Sequence, residues 1–195
     1  MRILTPVFFN SLAFIAASLV FMGSASAGEI SSLYTSVELE KACKLVKTFP
    51  NEGGGAIWDC KGHNGVRVRV AEGDLRFFVS FGENADKQTA SGQTLGPFNN
   101  IHKTLEWRVE RVGKAWVPFA TILRYFWDSN GRKGQTLVVS KLGQNDACHV
   151  AHIPANGNRN ANEQARRIAD TRARSFDCKN TQAMRFGPGG EILPN

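Results

Sequence analysis

The chain contains no GxSxG, HExxH or Walker-type phosphate loop and no pair of carboxylates at a catalytic spacing. The local motifs that mark many hydrolases, zinc peptidases and nucleotide-binding enzymes are therefore missing. It has no CxxC pair, which speaks against a zinc ribbon or a thiol redox motif. Histidine is scarce, four residues in all. His63 and His102 stand alone in turns, and His149 and His152 are three apart, a spacing that on a regular strand points them to opposite faces. No cofactor is implied, and whether the chain is an enzyme stays open. Catalysis would need titratable groups that only folding brings together. Beyond residue 27 no apolar run is long enough to span a bilayer.

What precedes residue 27 is different. Met1 and a single basic Arg2 lead into an apolar stretch from Leu12 to Met22, and "SASA" ends at Ala27. The apolar core is short for a span and Ala25 and Ala27 supply the small-x-small site, so residues 1–27 read as a signal peptide and the remainder as periplasmic or secreted. Removing them leaves 168 of the 195 residues, the size of one domain with a proper core, expected over 28–179.

Cys43, Cys60, Cys148 and Cys178 all lie in that part. An even count in an exported chain reads as two disulfides. Three connectivities are open; Cys43–Cys60 with Cys148–Cys178 closes the most modest loops, each worth about 3 to 4 kcal/mol. The rival is a zinc site built from Cys148, His149 and His152. Lys and Arg number 24 against 17 Asp and Glu, and without Arg2 the balance is +6. That favours an anionic small molecule, a polysaccharide or an envelope protein as partner. An exported, disulfide-bonded chain without a binding motif is not expected to meet nucleic acid.

From residue 57 to 153 short β-rich runs alternate with turn signals. "AIWDC" passes through Asn64-Gly65 into "VRVRV", and "EGD" at 72–74 turns into "LRFFVSF". "TLEWRVERV" turns at Gly113-Lys114 into "WVPFATILRYFW", Asn130-Gly131 precedes "TLVVSKL", and "GQND" leads to "ACHVAHI". Asn-Gly accepts positive φ at little cost and closes hairpins. Asn160 to Phe176 reads as a helix capped by Asn160 with Glu163, its apolar face being Ala161, Ala165, Ile168, Ala169, Ala173 and Phe176. Arg166, Asp170 and Arg174 form an i, i+4, i+8 ladder expected to face solvent. The fold class is α+β: an antiparallel meander of about seven strands, an eighth being open at Leu39 to Val46, with one C-terminal helix packed on it. Residues 82–103 are a long polar stretch, functional or disordered, and the tail 180–195 reads as disordered.

Alternation puts Val66, Val68 and Val70 opposite Arg67 and Arg69, and Leu105, Trp107 and Val109 opposite Glu106, Arg108 and Glu110. The charged sets are expected to pair across strands on a wet face. "DLRFFVSF" and "ILRYFWD" each place an arginine, Arg76 and Arg124, inside an apolar strand. A buried guanidinium needs partners. Either Glu72, Asp74 or Glu106 supplies them, or the arginines face a ligand pocket beside Phe78 and Phe126, where a forked donor suits a carboxylate or phosphate.

"VAEGDLRFFVSFG", "LEWR", "PFATILRYF", "CHVAHI", "ANEQARRIAD" and the closing "FDC" resemble a family of exported alphaproteobacterial proteins with no established activity. The resemblance runs from about Leu33 to Cys178. It implies a periplasmic or secreted setting and transfers no functional residue. "TASGQT" at 89–94 is similar, more distantly, to the Ser-Gly loop of periplasmic lysozyme inhibitors, which would make Ser91 and Gly92 the contact residues. A basic inhibitor would be repelled by a basic lysozyme. The functional expectation is a non-enzymatic soluble binding protein, with Arg76, Arg124, Phe78 and Phe126 and the 82–103 stretch as contact elements.

Overall fold

The computed structural model describes Met1 and residues 28–50 and 54–194. The expected signal segment, Met1 apart, lies outside the described residues. In chain order the elements are β1 Ile30–Ser36, α1 Leu39–Ala42, β2 Cys43–Thr48, β3 Ala56–Lys61, β4 Arg67–Gly73, β5 Arg76–Phe81, β6 Phe98–Val112 and β7 Ala115–Ser129. They continue with β8 Arg132–Leu142, β9 Ala147–Pro154, α2 Ala161–Arg172, β10 Met184–Phe186 and β11 Ile192–Leu193.

These strands form two sheets, not the single meander expected. The larger has the order β1-β6-β7-β8-β9-β10-β11, the smaller β2-β3-β4-β5. The chain opens in the large sheet, leaves to build the small one, and returns as β6 beside β1. β10 runs parallel to β9, so the large sheet is mixed. Leu39 to Val46, an open eighth strand in the sequence reading, is split between the short α1 and the start of β2.

The small sheet covers one face of the large one. Val68, Val70, Val79 and Phe81 meet Leu105, Trp107, Val109, Leu123 and Val138 in a common core. Trp107 is fully buried, its indole N–H donates to Thr35 Oγ1 at 2.8 Å, and its ring lies edge-on to Phe81. Gly62 faces this ring so closely that a Cβ there would come within 2.4 Å of it. Tyr125 is buried between the sheets, and its hydroxyl has no hydrogen-bond partner among the described residues. Burial without a partner pushes that phenol up, so it stays protonated. Tyr125→Phe is therefore expected to raise stability by about 1 kcal/mol, measured by urea unfolding; a loss of similar size would mean that the hydroxyl has a partner.

The other face of the large sheet carries α2. The helix starts at the expected place and buries Ala161, Ala165, Ile168 and Ala169, but ends at Arg172, with Ala173 and Phe176 buried in the turn that follows. Asn160 makes no side-chain cap; Asn158 instead binds the Asn160 N–H and the Gln164 amide.

The charged ladder of α2 faces the sheet instead of solvent. Arg166 pairs with Glu106 at 2.6 Å, Asp170 with Arg108 at 2.8 Å and Arg174 with Glu110 at 2.9 Å. Two residues of strand advance about 6.7 Å and four residues of helix about 6.0 Å, so the two ladders stay in step over three rungs. Glu106, Arg108 and Glu110 thus pair across layers. Arg67 and Arg69 do pair across strands as expected, both with Asp59.

Both disulfides have the favoured connectivity. Cys43–Cys60 joins β2 to β3 and Cys148–Cys178 ties the segment after α2 to β9. The tail is not the disordered segment expected: β10 adds to the β9 edge, and Met184 and Phe186 cover apolar surface beside α2.

Residues 82–103 are likewise structured. Phe98 to Lys103 belong to β6, and 3-10 turns occupy Ala85–Lys87 and Thr89–Gly92. This segment lies along the outer edge of β5 and takes the outward hydrogen bonds of Phe77 and Phe81. Gln88 both accepts from the Phe81 N–H and donates to the Phe81 carbonyl, while Asn99 accepts from the Phe77 N–H and Thr94 donates to the Phe77 carbonyl. Thr89 is held by Asp146 through both its N–H and its hydroxyl.

Candidate functional site

The alternation that builds the inner face of the small sheet continues past the core. Ala56, Trp58 and Cys60 lie opposite Glu72, Val70 and Val68, which lie opposite Phe77, Val79 and Phe81. Toward the Ala56–Glu72–Phe77 end of these rows, Trp58, Glu72 and Phe77 are only partly buried. They form one wall of a groove of about 790 Å³ whose other wall is Asn99, Trp127 and Gly134 of the large sheet. Trp127 lies flat over Gly134, where a Cβ would come within 2.1 Å of its ring, and its indole N–H donates to Thr136 at 3.0 Å. Glycine at 134 is what allows the ring to lie there.

Phe98, 49% exposed, and the exposed Phe126 form the outer lip. Leu75 completes it at 62% exposure, held at φ 57° in the turn between β4 and β5 beside Asp74 at φ 51°. Bulky residues rarely adopt that left-handed backbone. The turn is tethered by the Leu75 carbonyl, which accepts from the Asn99 N–H at 2.9 Å.

Several polar groups of the groove are unspent. Gln135 Oε1 accepts from Arg124 at 2.8 Å, leaving its amide NH2 free of partners among the described residues. Asn156 Oδ1 accepts from the Gln135 N–H, and its NH2 is likewise left over. Asp128 uses one oxygen on the Gly131 N–H at 3.0 Å. Glu72 and Lys133 make no side-chain bond among the described residues.

A second cavity, about 560 Å³, lies between the β5 edge, the 92–96 segment and β9. It is lined by Arg76, Phe78, Gly92, Gln93, Thr94, His149 and His152 among others. The two histidines share a face after all, because β9 carries a bulge: Ser140 pairs with His149 and Val139 with Ala151, leaving Val150 as an extra residue. Alternation resets there, and His149 Nδ1 meets His152 Nε2 at 2.9 Å. One ring donates and the other accepts, a bond that two neutral imidazoles can make. Burial, reinforced by His152, pushes His149 down to about 3, and burial, reinforced by Arg185, pushes His152 down to about 4. No carboxylate lines this cavity. Cys148 is in a disulfide and cannot join the histidines as a thiolate, which removes the zinc alternative. Among the described residues no group of three or more His, Cys, Asp or Glu is placed to hold a metal.

The residues singled out from sequence are thus dispersed. Arg76 donates to the Gly96 carbonyl at 2.9 Å, pairs with Asp74 and stacks over Phe98 at 5.6 Å. Asp74 is the internal partner anticipated for it. Arg124 meets no carboxylate among the described residues; it donates to two amide oxygens, Gln135 and Asn162. The two arginines make no common fork: Arg76 and Phe78 line the histidine cavity, Phe126 lines the groove, and Arg124 reaches the groove only through Gln135. Gly92 is exposed at the cavity, whereas the Ser91 hydroxyl turns back onto the carbonyls of Asp86 and Gln88. The sequence alone does not assign Trp58, Glu72, Phe77, Trp127 or Gln135 to a ligand site, and their only signal is an aromatic, a carboxylate or an amide in five different strands. No protein-family model, no curated protein and no solved structure matches this chain, so its function has to be read from the groove and the cavity themselves.

Proposed function

We propose that this chain is a non-enzymatic binding protein of the periplasm or cell exterior, and that the groove at the end of the two sheets is its ligand seat. The observation that carries the reading is the lining: five aromatic rings, two of them exposed, converge with unspent amides and carboxylates on one concavity. Ligand sites combine apolar walls with a few convergent polar groups in this way, and exposed rings gathered at one place mark an interaction surface. The two disulfides support the compartment, since such bonds persist where the medium is oxidising. No helix among the described residues is long and apolar enough to cross a membrane.

In place of an anionic ligand forked jointly by Arg76 and Arg124 this reading takes the groove, because Arg76 lines the other cavity, Arg124 reaches the groove only through Gln135, and each spends part of its donors within the protein. N-phenyl-1-naphthylamine, a neutral aromatic fluorophore, tests the seat. It is expected to bind once per chain, accept energy from Trp58 and Trp127, and lose about tenfold in affinity in Phe98→Ala and in Phe126→Ala. Binding unchanged in the double variant, with unfolding unaltered, would place the seat elsewhere.

A further inference from the structure

Resting on that reading of the groove, we infer that its ligand is a short uncharged oligosaccharide of equatorially substituted hexoses, such as a β-1,4-linked glucose or N-acetylglucosamine chain. A hexose of that configuration is amphipathic in a particular way. Its faces present C–H groups that stack on flat rings, and its rim carries hydroxyls that each donate and accept.

The groove offers both halves. The rings of Trp58, Phe77, Phe98, Phe126 and Trp127 supply the flat surfaces. The rim is mixed: the Gln135 and Asn156 NH2 groups and the Lys133 ammonium remain as donors, and Glu72 and the second oxygen of Asp128 remain as acceptors. A hydroxyl satisfies either kind of group. The volume of about 790 Å³ falls within the range of small-molecule sites.

Other occupants fit less well. An anion, whether phosphate or uronate, would meet two carboxylates against one ammonium, despite the +7 balance of the whole chain; local charge, not net charge, acts at this range. An acyl chain would leave the rim donors and acceptors without partners, at a cost for each. A peptide entering as an added strand needs a free sheet edge. The neighbouring edge of β5 is already occupied by Gln88, Thr94 and Asn99.

Titration calorimetry of the oxidised protein, residues 28–195, with cellotetraose, chitotetraose and tetragalacturonate tests the inference. At least one neutral tetrasaccharide is expected to bind with Kd below about 1 mM and to lose about tenfold in Phe126→Ala. Tetragalacturonate is expected to bind at least about tenfold more weakly, the gap narrowing in Glu72→Gln/Asp128→Asn. If neither neutral sugar binds while the naphthylamine probe does, the sugar assignment is wrong and the groove reading survives. If neither sugar nor probe binds, both fall. Tighter binding of the uronate would overturn the charge argument. The bound sugar is expected to be recovered intact; shortened products would keep the sugar and remove the non-enzymatic reading.

Discussion

Replacing Arg108 by alanine is expected to cost about 3 to 5 kcal/mol of folding stability, read as a shift of the denaturant midpoint at unchanged slope. Arg108 is 7% exposed. Its guanidinium gives two parallel bonds to Asp170, both at 2.8 Å, and a third to the Ser32 hydroxyl, which in turn donates to Glu106. Truncation leaves the Asp170 carboxylate facing the sheet without its cation, and the penalty is mostly that orphaned charge. Removing both charges should be much milder. Arg108→Met with Asp170→Leu is expected to recover most of the loss, because a buried pair exchanged for apolar side chains is often neutral. A double-mutant cycle with coupling near zero would mean that the central rung does not hold the helix.

Acidification from pH 7 to 4.5 is expected to cost about 2 to 3 kcal/mol for each of His149 and His152. Both are buried and hydrogen-bonded to each other as neutral rings, with folded values of about 3 and about 4 against an ordinary 6.5. Below pH 6.5 the unfolded chain takes up protons that the folded chain refuses, so stability falls as pH drops from 6.5 toward 4. Above 6.5 the contribution is fully present and flat. The positive charge of Arg185 is part of what holds His152 down, and Arg76 is the charged side chain that lines the cavity. The measurement is urea unfolding at the two pH values for the wild type and for His149→Gln/His152→Gln, the variant being expected to lose markedly less. Should the variant not fold, NMR titration of the wild-type imidazoles decides the matter; titration near 6.5 would show that the pair is not held neutral.

What could be read from sequence is what depends on neighbours along the chain. The sulfur pairings follow from loop length, and the hairpins from Asn64-Gly65, Gly113-Lys114 and Asn130-Gly131, all of which fall between consecutive strands. The apolar face of α2 follows from period 3.6: Ala161, Ala165, Ile168 and Ala169 are buried, as are Ala173 and Phe176 just beyond the helix end. The failures come from relations between layers. Glu106, Arg108 and Glu110 were assigned the correct face but the wrong partners, since nothing local says that a helix with Arg166, Asp170 and Arg174 covers them. The complementary Glu-Arg-Glu and Arg-Asp-Arg patterns are a signal that could have been matched.

His149 and His152 were separated by strict alternation, and only the extra residue at Val150 brings them together. The groove was hidden for the same reason. Trp58, Glu72, Phe77 and Trp127 come from β3, β4, β5 and β7 and meet only because the second sheet turns back over the first. Arg76 and Arg124 stand out in the sequence as charges in apolar runs, yet their partners lie elsewhere in the chain, at Gly96 for Arg76 and at Gln135 and Asn162 for Arg124.

The bonds along the outer edge of β5 bear on how the chain is made. Synthesis delivers the small sheet complete at Phe81, before any of the long strands that will cover it exist. A finished sheet with a bare edge is a template for another copy of itself. Gln88 follows only seven residues later and imitates a strand's amide at Phe81; Thr94 and Asn99 arrive 17 and 22 residues after Phe77 and do the same for its carbonyl and N–H. The interval in which two nascent chains could join through the edge of β5 is thereby limited to the emergence of about twenty residues, roughly one to four seconds of synthesis.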